Sequence, residues 1–426
     1  IGLGIPAEPL FRSLRYLSGI LLMGEALYLY VHWVRETGSL VELRALFTLA
    51  WVGGQGIACM QLSKLQSDWQ YITWLSFFLI YIGFGIGYEW GRKYGKVEER
   101  ELEKNEFQSG RLFICIIGLM AVSIACFVFE AIKVGFIPLF SDEPHAYSYF
   151  HVSGVHYFTI SCILIPAITI LYLKVSRHIG WKKIAALVLA NFTAVAVPFL
   201  CVSRFQLLFA VGFAVVTYIM VNKRIRLRTM VILLVALVPV YIILTVFRHH
   251  DVTYLNSIFE MKCSKMPIFI TQPYMYVANN FENFNCMVAQ LTEHTYGLKM
   301  LFPFFALTGL KFLYPQLVSF PIFLTKKELT TLTMFYDAYY DFGIVGVFIF
   351  AVIIGAVAKV LMSIVKKSQN PVSYLFYGQI AIYLGLAFFT TWFSNPTTWF
   401  WLILTGMMCW FVGYDKNKKR DEQKDE

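Results

Sequence analysis

Two carboxylates four residues apart, Asp337 and Asp341, run directly into a long apolar segment in MFYDAYYDFGIVGVFIFAVIIGAVAKV. At that spacing they share one helical face. The placement suits contact with a polar substrate at a water–lipid boundary, and it suits equally an acidic cap on a helix N-terminus. A second pair carries the opposite charge. Arg204 follows PFLCVS and Arg248 ends VYIILTVF, so antiparallel neighbouring helices would bring the two guanidiniums together. Such a pair can clamp a diphosphate through bidentate, charge-assisted hydrogen bonds. The plain competitor is snorkelling to lipid headgroups. His249, His250 and Asp251 follow Arg248 at once, and Asp142 and Glu143 precede Pro144. These read either as acid–base groups or as solvated interfacial residues and a turn start.

The elements that must hold these residues are membrane helices. Of 426 residues, 58% are hydrophobic and only 15% charged, with a mean hydropathy of +0.62, which no soluble domain of this length matches. Apolar windows of about twenty residues predict helices near 12–34, 43–62, 69–90, 112–135, 157–174, 184–202, 204–221, 230–247, 343–365, 372–392 and 398–414. A further run near 298–315 contains Pro303 and Gly309 and could be re-entrant or lie along the surface. The expected architecture is all-α, a polytopic helical bundle of about 11 to 13 transmembrane helices in one membrane domain over 1–426.

The net charge of +10 does not point to nucleic acid, because the basic residues lie in short connections between apolar runs. Arg92, Lys93 and Lys96, then Arg177, Lys182 and Lys183, then Lys223, Arg224, Arg226 and Arg228, then Lys366 and Lys367 alternate with the helices as cytoplasmic loops should. The segments 136–156, 248–297 and 316–342 then fall outside. They concentrate His, Tyr, Phe, Asn and isolated acids, a composition suited to sugars, whose C–H faces stack on rings while hydroxyls pair with carboxylates and amides. An interfacial aromatic belt accounts for many of these rings singly. The first helix has its N-terminus outside and the chain starts at Ile1, so an upstream segment is expected. Cys263 and Cys286 share an outer segment, with free thiols favoured over a disulfide. Glu25 and Glu130 lie in or near apolar spans; a protonated carboxylate bonded to a neighbouring helix is the reading for Glu25.

No GxxxxGK[ST] loop, GxGxxG turn, HExxH pair or zinc-spaced CxxC occurs, which weighs against ATP-driven transport and zinc hydrolysis. No metal or cofactor is expected.

Four stretches resemble the Wzy-type polymerases of oligosaccharide repeat units, the family of O-antigen, capsule and enterobacterial common antigen polymerases. They are GFIPLFSDEPHAYSYFHVSGVHYF (135–158), VSRFQLLFAVGFAVVTY (202–218), YMYVANNFENFNCMVAQLTEHTYGLKML (274–301) and LTTLTMFYDAYYDFGIVG ending at Gly346. One departure is that many relatives carry an arginine in the first outer loop, where this chain offers only His145, His151 and His156.

The resemblance implies a C-type glycosyltransferase-like bundle in the bacterial cytoplasmic membrane, active at its outer face. It implies that the enzyme moves a growing glycan from undecaprenyl diphosphate onto a newly delivered lipid-linked repeat unit. Donor and acceptor are both undecaprenyl-diphosphate-linked oligosaccharides, with membrane lipids around them and a chain-length-regulating co-polymerase as a further partner. Such a reaction needs cations for the leaving diphosphate and a base for the attacking hydroxyl. Arg204 and Arg248 are expected to bind the diphosphate, and His250 to contact substrate. Asp251, His249 or Glu143 is the expected base, Asp337 or Asp341 the acceptor contact, and Tyr340 a further substrate-binding residue. The alternatives are an O-antigen ligase, which uses the same donor with another acceptor, and a flippase or transporter of lipid-linked oligosaccharide.

Overall fold

The computed structural model describes residues 7–92, 101–141, 146–223, 228, 252–263 and 265–413. Regular structure among them is helical: α1 (Ala7–Thr37), α2 (Leu43–Ala58), α3 (Tyr71–Arg92), α4 (Glu106–Val134), α5 (Ala146–Tyr149), α6 (Val155–Thr159), α7 (Ile165–Val175), α8 (Trp181–Leu200), α9 (Arg204–Asn222), α10 (Val252–Phe259), α11 (Ile268–Gln290), α12 (Phe302–Leu307), α13 (Leu310–Leu313), α14 (Tyr336–Lys367), α15 (Ser373–Gly385) and α16 (Pro396–Gly413). One isolated bridge pairs Ser63 with Met261. Seven spans among the described residues are long and apolar enough to cross a bilayer: Arg15–Thr37, Tyr71–Gly91, Glu106–Val134, Val155–Val175, Trp181–Leu200, Arg204–Asn222 and Tyr336–Lys367. The chain is a multi-pass helical membrane protein. The helix expected near 230–247 lies outside the described residues.

Local chemistry explains where expected helices break. The span near 157–174 is α6, a 3-10 turn over Ile160–Leu164 and then α7. Pro166 at the start of α7 has no N–H for an α-type bond to Cys162, so the preceding turn tightens instead. The run near 298–315 spans nothing: it forms only α12 and α13, separated at Gly309, whose φ of +78° turns the chain.

The chain divides into two compact units, the first comprising 1–96, 250–362 and 383–399, the second 97–249, 363–382 and 400–426. In the first unit an aromatic core surrounds Trp51, which meets Phe77 at 5.6 Å, Phe335 at 5.0 Å and Phe281 at 5.3 Å. Glycines allow the long helices of this unit to touch through backbone. On α3, a Cβ at Gly83 would lie 2.9 Å from Phe348 O of α14, and one at Gly87 would collide with Val352 O.

Helix α11 organises the irregular parts of the first unit. Sequence patterning placed 248–297 in an outer segment, yet Ile268–Gln290 is a 23-residue helix whose Asn279, Asn280, Glu282, Asn283 and Asn285 are buried. Each of the last four satisfies groups in neighbouring loops, as buried polar groups must. Asn280 Nδ2 donates to Phe388 O at 2.8 Å, and Asn283 Nδ2 to Leu329 O at 2.8 Å and Thr331 O at 2.9 Å. Asn285 Oδ1 accepts from Gln70 N–H at 3.0 Å and from the Thr73 hydroxyl at 2.8 Å. Glu282 accepts from Ser67 N–H and from Trp69 Nε1–H, both at 3.0 Å. Burial nevertheless holds the Glu282 carboxyl above its ordinary value, the hydrogen bonds from Ser67, Trp69 and Asn285 opposing that shift.

In the second unit α4, α7, α8 and α9 pack together, and the polar stretch after α4 folds back on them. Gly135 ends α4 in the left-handed conformation (φ +87°), with its N–H on Ala131 O at 3.0 Å. Leu139 and Tyr147 then pack on Val202 and Leu207 at the turn joining α8 to α9. Val202 adopts φ +52°, strained for a β-branched residue.

Candidate functional site

Helix α14 is broken near its start. Gly343 has φ +61° and ψ −146°, so the turn Tyr336–Phe342 is set off from the membrane stem, and a Cβ at Gly343 would lie 3.2 Å from His294 Nε2. That turn carries Asp337, Tyr340 and Asp341, and the break gives the two carboxylates different surroundings.

Asp341 is fully buried. Its carboxylate accepts the Thr295 hydroxyl, Lys299 N–H at 3.1 Å and Met300 N–H at 2.8 Å, and its backbone oxygen accepts Tyr296 N–H at 3.2 Å. The turn so held is strained at Tyr296, with φ +49°, and continues through Gly297 at φ +104°. Asp341 therefore fixes the loop that presents Lys299.

Asp337 is 7% exposed and faces a cavity of about 400 Å³. Lys299, Thr391, Ser394 and Asn395 supply the polar lining; Phe302 and Phe320 are among the apolar residues. Lys299 Nζ stands 3.8 Å from Asp337 Oδ1, and Ser394 and Thr391 line the same cavity beside the carboxylate. The ammonium opposes the cost of burying that charge, and the gap leaves both groups able to bond to a ligand. Lys299 Nζ also lies 4.8 Å above the centroid of Tyr340, whose ring stacks on Phe323 at 5.9 Å. The lining comes wholly from irregular segments and helix ends: the loop after α11, the stretch before α14, the first turn of α14 and the approach to α16. Asn395 caps α16, its Oδ1 accepting Thr397 N–H at 2.9 Å.

A carboxylate, an ammonium, two hydroxyls and an amide converging on one aromatic-edged cavity match the demands of a sugar ring. The size suits a small ligand as well. Among the described residues no group of three or more His, Cys, Asp or Glu is placed to hold a metal.

The other expected site residues are distributed differently. Arg204 is 3% exposed at the start of α9, in the second unit. Glu143, Arg248, His249, His250 and Asp251 lie outside the described residues, as does His145. Cys263 and Cys286 are free thiols. Glu25 is exposed on α1. Glu130 is fully buried and bonded to the segment that follows it. Sequence reasoning missed Lys299, Thr391, Ser394 and Asn395. The signals present were a lysine shortly after the Thr-x-Gly of HTYGLKML and a Ser-Asn-Pro helix start in WFSNPTTW. Compared with known proteins, the chain matches no family model, no curated protein and no solved structure.

Proposed function

We propose that this protein is a membrane glycosyltransferase that polymerises undecaprenyl-diphosphate-linked oligosaccharide repeat units at the outer face of the bacterial cytoplasmic membrane. The observation that carries the reading is the cavity of the first unit, where buried Asp337 and half-buried Lys299 stand 3.8 Å apart beside Ser394, Thr391 and aromatic rings. There the carboxylate accepts from one sugar hydroxyl while the ammonium donates to another, an arrangement that holds a glycan chain. The donor carries its own activation, because a polyprenyl diphosphate leaves readily once cations balance its charge. Arg204 is the described residue assigned to that charge. Both lipid tails stay in the bilayer, so the reaction requires no soluble catalytic domain.

The test is direct. Purified protein in lipid nanodiscs, given only lipid-linked repeat units from its source membranes, is expected to build a ladder of longer lipid-linked glycans without nucleotide. Asp337→Asn should insert and fold normally yet lose at least about tenfold in rate, one strong charge-assisted bond to substrate being worth about 1.5–3 kcal/mol. Movement of the substrate between liposome leaflets with no lengthening would replace this reading with the transport one.

A further inference from the structure

The second unit holds an imidazole oriented by a buried carboxylate. Glu130, near the end of α4, is fully buried. Its Oε1 accepts Val152 N–H at 2.8 Å, its Oε2 accepts the Thr159 hydroxyl at 2.7 Å, and His156 Nδ1 lies 3.2 Å from both oxygens. An ionised carboxylate has no proton to give, so Nδ1 is the donor and the lone pair of the neutral ring sits on Nε2. The His156 side chain is 27% exposed, and Nε2 makes no hydrogen bond among the described residues. Geometry of this kind, a base held in one tautomer by a carboxylate behind it, is what proton abstraction from a hydroxyl requires.

Aromatic rings stand beside this dyad. Phe400 stacks on Tyr157 at 5.4 Å and meets Phe158 edge-on at 4.8 Å. Of the titratable groups around the dyad, Cys126 on α4 and Cys201 after α8 interact electrostatically with Glu130, and Tyr157 adjoins His156. Lys133, one turn from Glu130 on α4, is exposed. The same end of the unit carries the one expected cation that is described, for Leu139 and Tyr147 cover the turn at Val202 that leads into Arg204.

We propose that His156, positioned by Glu130, is the general base of the transfer; the inference rests on the transferase reading above. Nε2 takes the proton of the attacking sugar hydroxyl as that oxygen forms the new bond to the donor's anomeric carbon. The bond from that carbon to the diphosphate breaks, its electron pair leaves on the diphosphate, and the imidazolium returns its proton to water. His156 touches the reacting atoms, whereas Glu130 is a positioning residue.

The experiment measures the rate of polymer formation in nanodiscs. His156→Gln should lose about 10²–10⁴-fold in rate, and added imidazole should restore part of the activity of His156→Ala. Glu130→Gln leaves the ring without the carboxylate that fixes its tautomer, so kcat should fall several-fold with KM unchanged. A purely structural tie predicts neither the imidazole rescue nor that split. Full activity in His156→Gln overturns the proposal, and so does a loss that imidazole does not restore together with wild-type kcat in Glu130→Gln.

A second measurement needs no turnover. Diethylpyrocarbonate should modify His156 in the wild-type protein, and lipid-linked oligosaccharide should slow that modification. If the wild type makes no polymer, the transferase reading falls; protection of His156 would still mark Nε2 as the place a substrate hydroxyl meets, and unprotected modification would overturn the proposal.

Discussion

Asp337 and Asp341 stand one turn apart, yet one faces a cavity and the other is enclosed by backbone N–H groups. Replacing Asp341 by Asn turns one acceptor into a donor against Lys299 N–H or Met300 N–H. We expect that substitution to cost about 2–4 kcal/mol of stability, since buried donors lose their partner and the strained turn at Tyr296 is released. Thermal unfolding in detergent measures it. Asp337→Asn, whose contacts are hydroxyls and a lysine 3.8 Å away, should unfold within a degree or two of wild type while losing activity. The four-residue spacing made the pair conspicuous in the sequence without distinguishing its members. Which acid is enclosed and which faces open space depends on a loop more than forty residues earlier in the chain, and no local pattern encodes it.

At the scale of elements, glycine determines how closely α3 and α14 approach. Gly83, Gly87 and Gly91 recur every four residues and all face α14, whereas a methyl group at Gly85 would meet nothing within 4 Å. Gly87→Leu should therefore force the helices apart and lose several-fold in folded yield, by size-exclusion profile in detergent, at a cost of about 1–3 kcal/mol or more. Gly85→Leu should behave as wild type, and equal damage from both would remove the close-approach explanation. The spacing is visible in GFGIGYEWG, but which glycines meet a partner follows only from the rotation of the helix. Helix α11 shows the reverse problem. Its Asn280, Glu282, Asn283 and Asn285 lower its hydropathy to that of a loop, because they satisfy backbone and side-chain groups of other segments instead of packing against lipid.

For the whole molecule, charge states which helix ends belong together. In the first unit Arg35, Arg44 and Lys359 mark one end of α1, α2 and α14, and the cavity of Asp337 lies at the opposite end of α14. From the excess of Lys and Arg we expect the first of these ends in the cytoplasm. A cysteine replacing exposed Glu328, in a background lacking the native cysteines, should react with a membrane-impermeant maleimide in intact spheroplasts. One replacing exposed Leu40 should react only after permeabilisation. Reversed labelling would turn the cavity towards the cytosol and end the case for an outer-face transferase. Composition alone established this membrane character, since hydrophobic content depends on no tertiary contact.

The break at Gly343 also has a mechanical result. Membrane helices lean further when the bilayer thins and straighten when it thickens. The turn bearing Asp337 is tied through Asp341 to residues 295–300, so these bonds hold the ligand-facing groups together while the joint at Gly343 and the small Gly346 beside Ala338 take up a lean of the stem. The cavity's geometry is thereby insulated from the lipid mixture around it, a useful property for a protein whose substrates would themselves remain anchored in that lipid.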